Sequence, residues 1–265
     1  MFFYNEPAAI QHVTSNLKLY LEPNINNNIT LLNGAVLGVS GGIPQYTFDG
    51  VNDYATLTGS LNGLPSRAFT ISMWIRSLPN TINTSHVVLS NTSYSTIVAG
   101  PGVLLNIFNG FQITLQNGLL RARIDKLSPN GWIQWSDGNR QVTSHINQGR
   151  LDDNQFHNIV VTSAGGTPYS TGFVGQDLNL YVNGVRSVDN SKTTTYGNCS
   201  LWTHSSTMIL GAGAPLSAFR DGLNRLIPSP TRFKGAISIA QFYTASLNET
   251  EIMQNYNAFK QQFGR

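Results

Sequence analysis

The sequence predicts an all-β fold, an antiparallel sandwich with one short C-terminal helix. Three observations carry this. Only 11% of the 265 residues are charged, well under the usual share, and Asn, Thr, Ser and Gly fill the difference. Apolar and polar residues alternate over short runs, most cleanly in Phe69–Arg76, where Phe69, Ile71, Met73 and Ile75 face one way and Thr70, Ser72, Trp74 and Arg76 the other. Asn-Gly, the strongest short hairpin signal, recurs at 109–110, 117–118 and 183–184.

The elements follow in order. Leu17–Leu21 alternates and stops at Pro23, and Tyr46-Thr47-Phe48 leads into an Asp49-Gly50 turn. Tyr54–Thr58 and Phe69–Arg76 are strands, followed by His86–Ser90, Val103–Phe108, Phe111–Gln116 and Leu119–Ile124. Asn109-Gly110 and Asn117-Gly118 separate the last three as hairpin turns. His157–Ser163, Leu178–Val182, Met208–Leu210 and Phe233–Tyr243 complete the set. Ser246-Leu247-Asn248-Glu249 reads as a capping box with Ser246 as the cap. Ile252, Tyr256 and Phe259 then make an apolar stripe for packing on the sandwich. Trp74 belongs to the sandwich despite its alternate face, which implies that loops cover both sides of its strand. Segments 77–102, 126–150, 164–176 and 190–232 read as loops decorating one domain, where function on β scaffolds usually resides. Residues 1–14 form an N-terminal extension and 15–265 the domain.

Bulk properties exclude several classes. A net charge of +3 spread over the chain does not make a nucleic-acid groove; Arg220, Arg225, Arg232, Lys234, Arg121, Arg123 and Lys126 read as solvated or partner-contacting surface. No run approaches the roughly 18 apolar residues of a membrane span. The single cysteine, Cys199, allows no intrachain disulfide, and the opening residues lack the pattern of a secretory signal. The expectation is a protein made in a cytoplasm, with no nucleic-acid and no membrane partner.

Six segments in order carry a family resemblance. These are Leu17–Leu21, Phe48-Asp49-Gly50-Val51-Asn52-Asp53-Tyr54, Phe69-Thr70-Ile71-Ser72-Met73-Trp74-Ile75, Phe156–Thr162, Leu180-Tyr181-Val182-Asn183-Gly184, and Phe233-Lys234-Gly235-Ala236-Ile237 with Ser246–Tyr256. Together they resemble the laminin-G-like family of the concanavalin-A-like lectin/glucanase superfamily, which implies a two-sheet antiparallel jelly-roll sandwich. Phe156 stands where the family has Trp, and Asn158 where it has a second His. The ending Gln254–Gly264 is similar to tails on laminin-G-like domains of phage virion proteins. The resemblance implies a non-enzymatic virion structural protein, a capsid decoration or surface-appendage subunit at the virion surface, made in the host cytoplasm. Its partners would be a capsid or other virion protein, a second copy of itself, or a glycan. The aromatic segment Met1-Phe2-Phe3-Tyr4 is the candidate docking element.

The alternative is a carbohydrate-binding lectin module for a host or environmental glycan. Its candidate contacts are Trp132, Trp135, Asp137 and Asn139 in one segment and Trp202 in another; loop-packing aromatics are the competing reading. A glycoside hydrolase is disfavoured. Retaining enzymes need two carboxyls about 5–5.5 Å apart, and the four glutamates, Glu6, Glu22, Glu249 and Glu251, all lie outside residues 23–248. Asp152 and Asp153 read as a solvated turn. Neither a nucleophile elbow nor a metal-ligand spacing among the histidines is present, and His157 reads as a strand residue at the core edge. No cofactor is expected. Calcium, which needs 6–8 oxygens, has weak candidates in Asp49 and Asp53; these residues read more simply as a turn that bonds its own backbone.

Overall fold

The computed structural model describes residues 11–23, 29–57, 68–78, 85–100, 103–125, 140–143, 149–164, 167–169, 172–174, 178–187, 208–212, 219–220, 226–227 and 231–265. The chain first forms β1 (Leu17–Leu21), β2 (Ile29–Leu32), β3 (Val36–Ser40), β4 (Ile43–Asp49) and β5 (Tyr54–Leu57). Next come β6 (Phe69–Ser77), β7 (Ser85–Gly100), β8 (Val103–Gln116), β9 (Leu119–Asp125) and β10 (Arg140–Thr143). Then follow β11 (Phe156–Ser163), β12 (Thr167–Tyr169), β13 (Gly172–Val174), β14 (Leu178–Val182) and β15 (Val185–Arg186). The last elements are β16 (Met208–Leu210), β17 (Phe219–Arg220), β18 (Leu226–Ile227), β19 (Thr231–Arg232), β20 (Lys234–Tyr243) and α1 (Glu249–Phe259).

Two eight-stranded sheets result. The first runs β15-β14-β11-β6-β20-β4-β3, with β1 also on β20. The second runs β10-β9-β8-β7-β16-β5-β2, with β19 parallel to β7. Along one side of β20 lies β6; on the other, β4 and β1 sit end to end around a bulge between Ile237 and Ala240. The expected jelly-roll architecture is therefore present.

The alternation in β6 explains the packing. Phe69, Ile71, Met73 and Ile75 enter the core between the sheets, joined by Ile159 and Val161 of β11 and by Ile113 and Leu115 of β8. The opposite face of β6 is also buried, but α1 and the turns after it provide the cover that loops were expected to give. Trp74 stacks on Phe263 at 4.2 Å and on Tyr256 at 5.7 Å. Phe156, the family's Trp position, tilts against Phe263 at 4.9 Å, with the Arg76 guanidinium over its other surroundings at 5.2 Å from the ring centroid.

Four expectations change. The helix cap is Asn248, two residues later than expected: its side chain accepts from Glu251 N–H while Glu251 accepts from Asn248 N–H. Ser246 cannot serve, because the neighbouring Leu247 is buried and its N–H is fixed to Thr70 Oγ1 at 2.8 Å. Asn109-Gly110 is not a turn. Both residues sit inside β8, paired with Ser93 and Thr92, because β7 continues to Gly100 and supplies ladder partners throughout. Most of 77–102 is therefore strand and not loop. Asp152 is buried and not solvated, held by Arg150 Nε at 2.8 Å. The other two Asn-Gly pairs are hairpin turns as expected, with positive φ at Asn117, Gly118, Asn183 and Gly184.

Candidate functional site

Strand register sets Arg140 and Met208, the first described residues after the two glycan-candidate segments, in one row at an end of the second sheet. Arg140 pairs with Ile124, Ile124 with Phe111, Phe111 with Asn91, and Asn91 with Met208. Arg140 directly follows the segment carrying Trp132, Trp135, Asp137 and Asn139; Met208 directly follows the segment carrying Trp202. These five residues themselves lie outside the described residues. Four interstrand steps separate Arg140 from Met208, about 19 Å at the usual strand spacing. The row continues through Leu57 to Ile29, so segments 58–67 and 24–28 open at the same end. Between the two tryptophan-bearing segments, Thr92–Gly100 and Val103–Gly110 pair with each other as a two-stranded arm beyond the row. At about 3.3 Å per residue the arm extends roughly 30 Å. Sequence reasoning missed it because Asn109-Gly110 mimics a turn.

The calcium-candidate aspartates sit at the opposite end of β5. Asp53 is buried, and its Oδ2 accepts from Asp49 N–H at 2.8 Å. Asp49 Oδ1 accepts from Val51 N–H at 2.7 Å and from Asn52 N–H at 3.3 Å. These bonds, that from Val51 foremost, hold the Asp49 carboxyl below the usual carboxylate range. The geometry is that of a self-bonded turn. Among the described residues, no three His, Cys, Asp or Glu side chains gather as a metal site. Met1, Phe2, Phe3 and Tyr4 lie outside the described residues, as does Cys199.

The densest titratable cluster surrounds His157, at the start of β11. His157 Nε2 lies 3.0 Å from Asp153 Oδ1, and Nδ1 lies 3.1 Å from Asn183 Nδ2. One neutral tautomer satisfies both: Nε2–H donates to Asp153 and Nδ1 accepts from Asn183. The Asn183 Oδ1 accepts from Asn158 N–H at 3.0 Å, so the hairpin turn clasps β11. Arg265 donates from Nε to the Phe156 carbonyl at 2.7 Å and sets Nη2 3.0 Å from His157 Nε2. Burial pushes the His157 pKa below its usual value and the Arg265 cation adds to this, while Asp153 opposes. For Asp153, burial pushes upward, but the Gln155 N–H, His157 and Arg265 outweigh it and the net shift is downward.

This cluster predicts acid sensitivity. His157 takes up its proton more readily in the unfolded chain, so the stability it contributes is present above its ordinary pKa of 6.5 and declines as pH falls below that value. Asp153 adds a loss of the same sign at lower pH, below 3.8. Chemical denaturation midpoints measured across this range should fall with acidification, and His157→Gln should flatten the upper part of the decline. Because burial also lowers His12, the informative quantity is the difference between the two proteins. An identical pH profile in both would contradict the assignment.

Residues 49–253 match the family described as the concanavalin A-like lectin/glucanases superfamily. The chain belongs to this superfamily. Its sheets also resemble, at the level of fold, several binding domains of known structure. The binding domain of Paraclostridial Mosquitocidal Protein 1 matches with a TM-score of 0.56 and 15% identity, over 92% of this chain and 52% of that one. The binding domain of Botulinum Neurotoxin DC in complex with SialylT matches with 0.54 and 12%, over 93% and 52%. The same domain in complex with rat synaptotagmin II matches with 0.52 and 12%, over 92% and 52%. The chain thus spans about half the length of the toxin domains it matches. No curated protein matches the sequence. Of the signature segments of this concanavalin A-like domain, all but Leu17–Leu21 fall wholly or mostly within the matched residues. Three of these meet in the structure: Gly235 lies between Phe48 on β4 and Ser77 on β6.

Proposed function

We propose that the chain is a non-enzymatic recognition module, a jelly roll whose loops bind a glycan through Trp132, Trp135, Asp137, Asn139 and Trp202. The observation that carries this reading is the row Arg140–Ile124–Phe111–Asn91–Met208, whose two end residues are the first described ones after the tryptophan-bearing segments. Sugar recognition combines an apolar aromatic face with a few placed polar groups, and these residues supply both. Likeness to a toxin binding domain seen in one complex with SialylT and in another with synaptotagmin supports recognition as the role. The commitments of four described aspartates support a non-catalytic reading: Asp49 and Asp53 bond a turn, Asp152 an arginine and Asp153 a histidine. On a glycan array, Trp132→Ala or Trp202→Ala should reduce retention at least about tenfold, the loss of one stacking contact of about 1.5 kcal/mol. Melting temperature should not move. Full retention by both variants would sink the assignment.

A particle-surface setting is the second reading, supported by the phage-like character of Gln254–Gly264 and by how the N-terminal region joins the body. Val13 N–H donates to Asn255 Oδ1 at 2.7 Å, Tyr243 donates to the Val13 carbonyl at 3.0 Å, and Gln254 donates to the Gln11 carbonyl at 2.8 Å. Residues 1–10 therefore join the body beside α1, where Met1–Tyr4 could dock on a capsid or other virion protein. Deleting residues 1–6 should lower occupancy on purified particles severalfold. Unchanged occupancy counts against that docking role.

A further inference from the structure

The two sheets protect their outer edges unequally. An edge strand offers unpaired N–H and C=O groups to other chains, and charge, proline or brevity normally blunts it. β15 is two residues long and carries Arg186, 3.6 Å from Glu249. β10 opens on Arg140. β2 packs Ile29 and Leu31 against the core. β3 has none of these devices. It reads Val36-Leu37-Gly38-Val39-Ser40, without charge or proline, and Val36, Leu37 and Val39 are 55%, 44% and 65% exposed. No charged residue or histidine occurs between Glu22 and Asp49. The exposed Val51 lies in the neighbouring turn, joined to the strand's approach by Asn33 Nδ2 donating to the Asn52 carbonyl at 3.5 Å.

We infer that β3 is a self-association edge that pairs antiparallel with β3 of a second copy across a twofold axis at Gly38. This register sets Leu37 opposite Val39 of the copy, twice, on one face, and Val36 opposite Ser40 on the other. A twofold axis makes the edge meet an identical one, so any charge near the axis tends to face its own like charge. A strand with neutral flanks on both sides escapes that penalty. The same neutrality leaves a foreign partner no charge to recognise, which favours a second copy. At the axis, a Cβ on Gly38 would meet nothing within 4 Å, so the sheet face on that side of the axis is uncovered by the same chain. Five residues of edge cover less than the roughly 800 Å² per partner of stable complexes, so the dimer is dissociable and concentration-dependent. The inference is independent of the glycan reading.

Sedimentation equilibrium from about 10 μM to about 1 mM, the range of dissociable complexes, tests it. The native chain should show a monomer–dimer equilibrium. Val39→Lys should weaken dimerisation at least about tenfold while leaving the melting temperature in place, because Val39 is solvent-exposed. The double variant L37E/V39K should recover association, since each introduced carboxylate faces an introduced ammonium on the copy. A native chain that stays monomeric, as it would if a foreign strand were the true occupant, overturns the inference. So does association undisturbed by Val39→Lys, or a double variant no better than the single one.

Discussion

Replacing Trp74 by Ala should destabilise the protein by about 3–5 kcal/mol, the usual cost of emptying a buried aromatic site. Trp74 is 1% exposed and lies between sheet and helix, not between the two sheets. Its ring is stacked on Phe263 and Tyr256, and Ala236, Ile239 and Phe156 share the cluster. Those partners are fixed independently: α1 by its capping box, and the final turn by Arg265 bonded to the Phe156 carbonyl. They cannot collapse readily into the vacated volume, so the cavity term is retained. Urea denaturation of the variant measures the loss. A change below about 1 kcal/mol would mean that α1 does not seal the sheet as described.

Gly235→Ala should cost about 2–5 kcal/mol, combining backbone strain with overpacking. Gly235 has φ +155°, and a Cβ there would strike the Arg76 carbonyl while also approaching the Phe233 ring to 2.9 Å. The residue has no room to shift. It is paired on one side with Phe48 and on the other with Ser77, at the start of the strand that unites β4 and β6. Thermal unfolding should show the drop, and near-native melting would mean that the three strands tolerate separation at this point.

What could be read in the sequence was what depends on local pattern. The inward residues of β6 are legible because the two faces alternate in type, and Asn183-Gly184 because positive φ at both positions suits few other pairs. The FDG turn was legible for the same reason, since Asp49 and Asp53 bond backbone within five residues. What could not be read depends on distant partners. Asn109-Gly110 carries a turn signal that the continued ladder with β7 overrides. The cap moved from Ser246 to Asn248 because Thr70, far away in the chain, holds Leu247 N–H. Asp152 is buried against Gly118 of the β8–β9 turn, a distant neighbour that two adjacent aspartates in a polar stretch do not announce. The placing of Arg140 and Met208 in one row arises from strand order, with β16 inserted between β7 and β5. No periodicity along the chain encodes that insertion. The same holds for β3, which no pattern in the sequence singles out and which the topology places at an edge.

Recognition and turnover are separated most directly by incubating the protein with a glycan it retains on an array and following both binding and new reducing ends. A recognition module should bind saturably and return the glycan intact, and the combined Trp132→Ala and Trp202→Ala variant should abolish binding at an unchanged melting temperature. Reducing ends released at enzyme-like rates, and lost when an aspartate is replaced, would contradict a non-catalytic jelly roll.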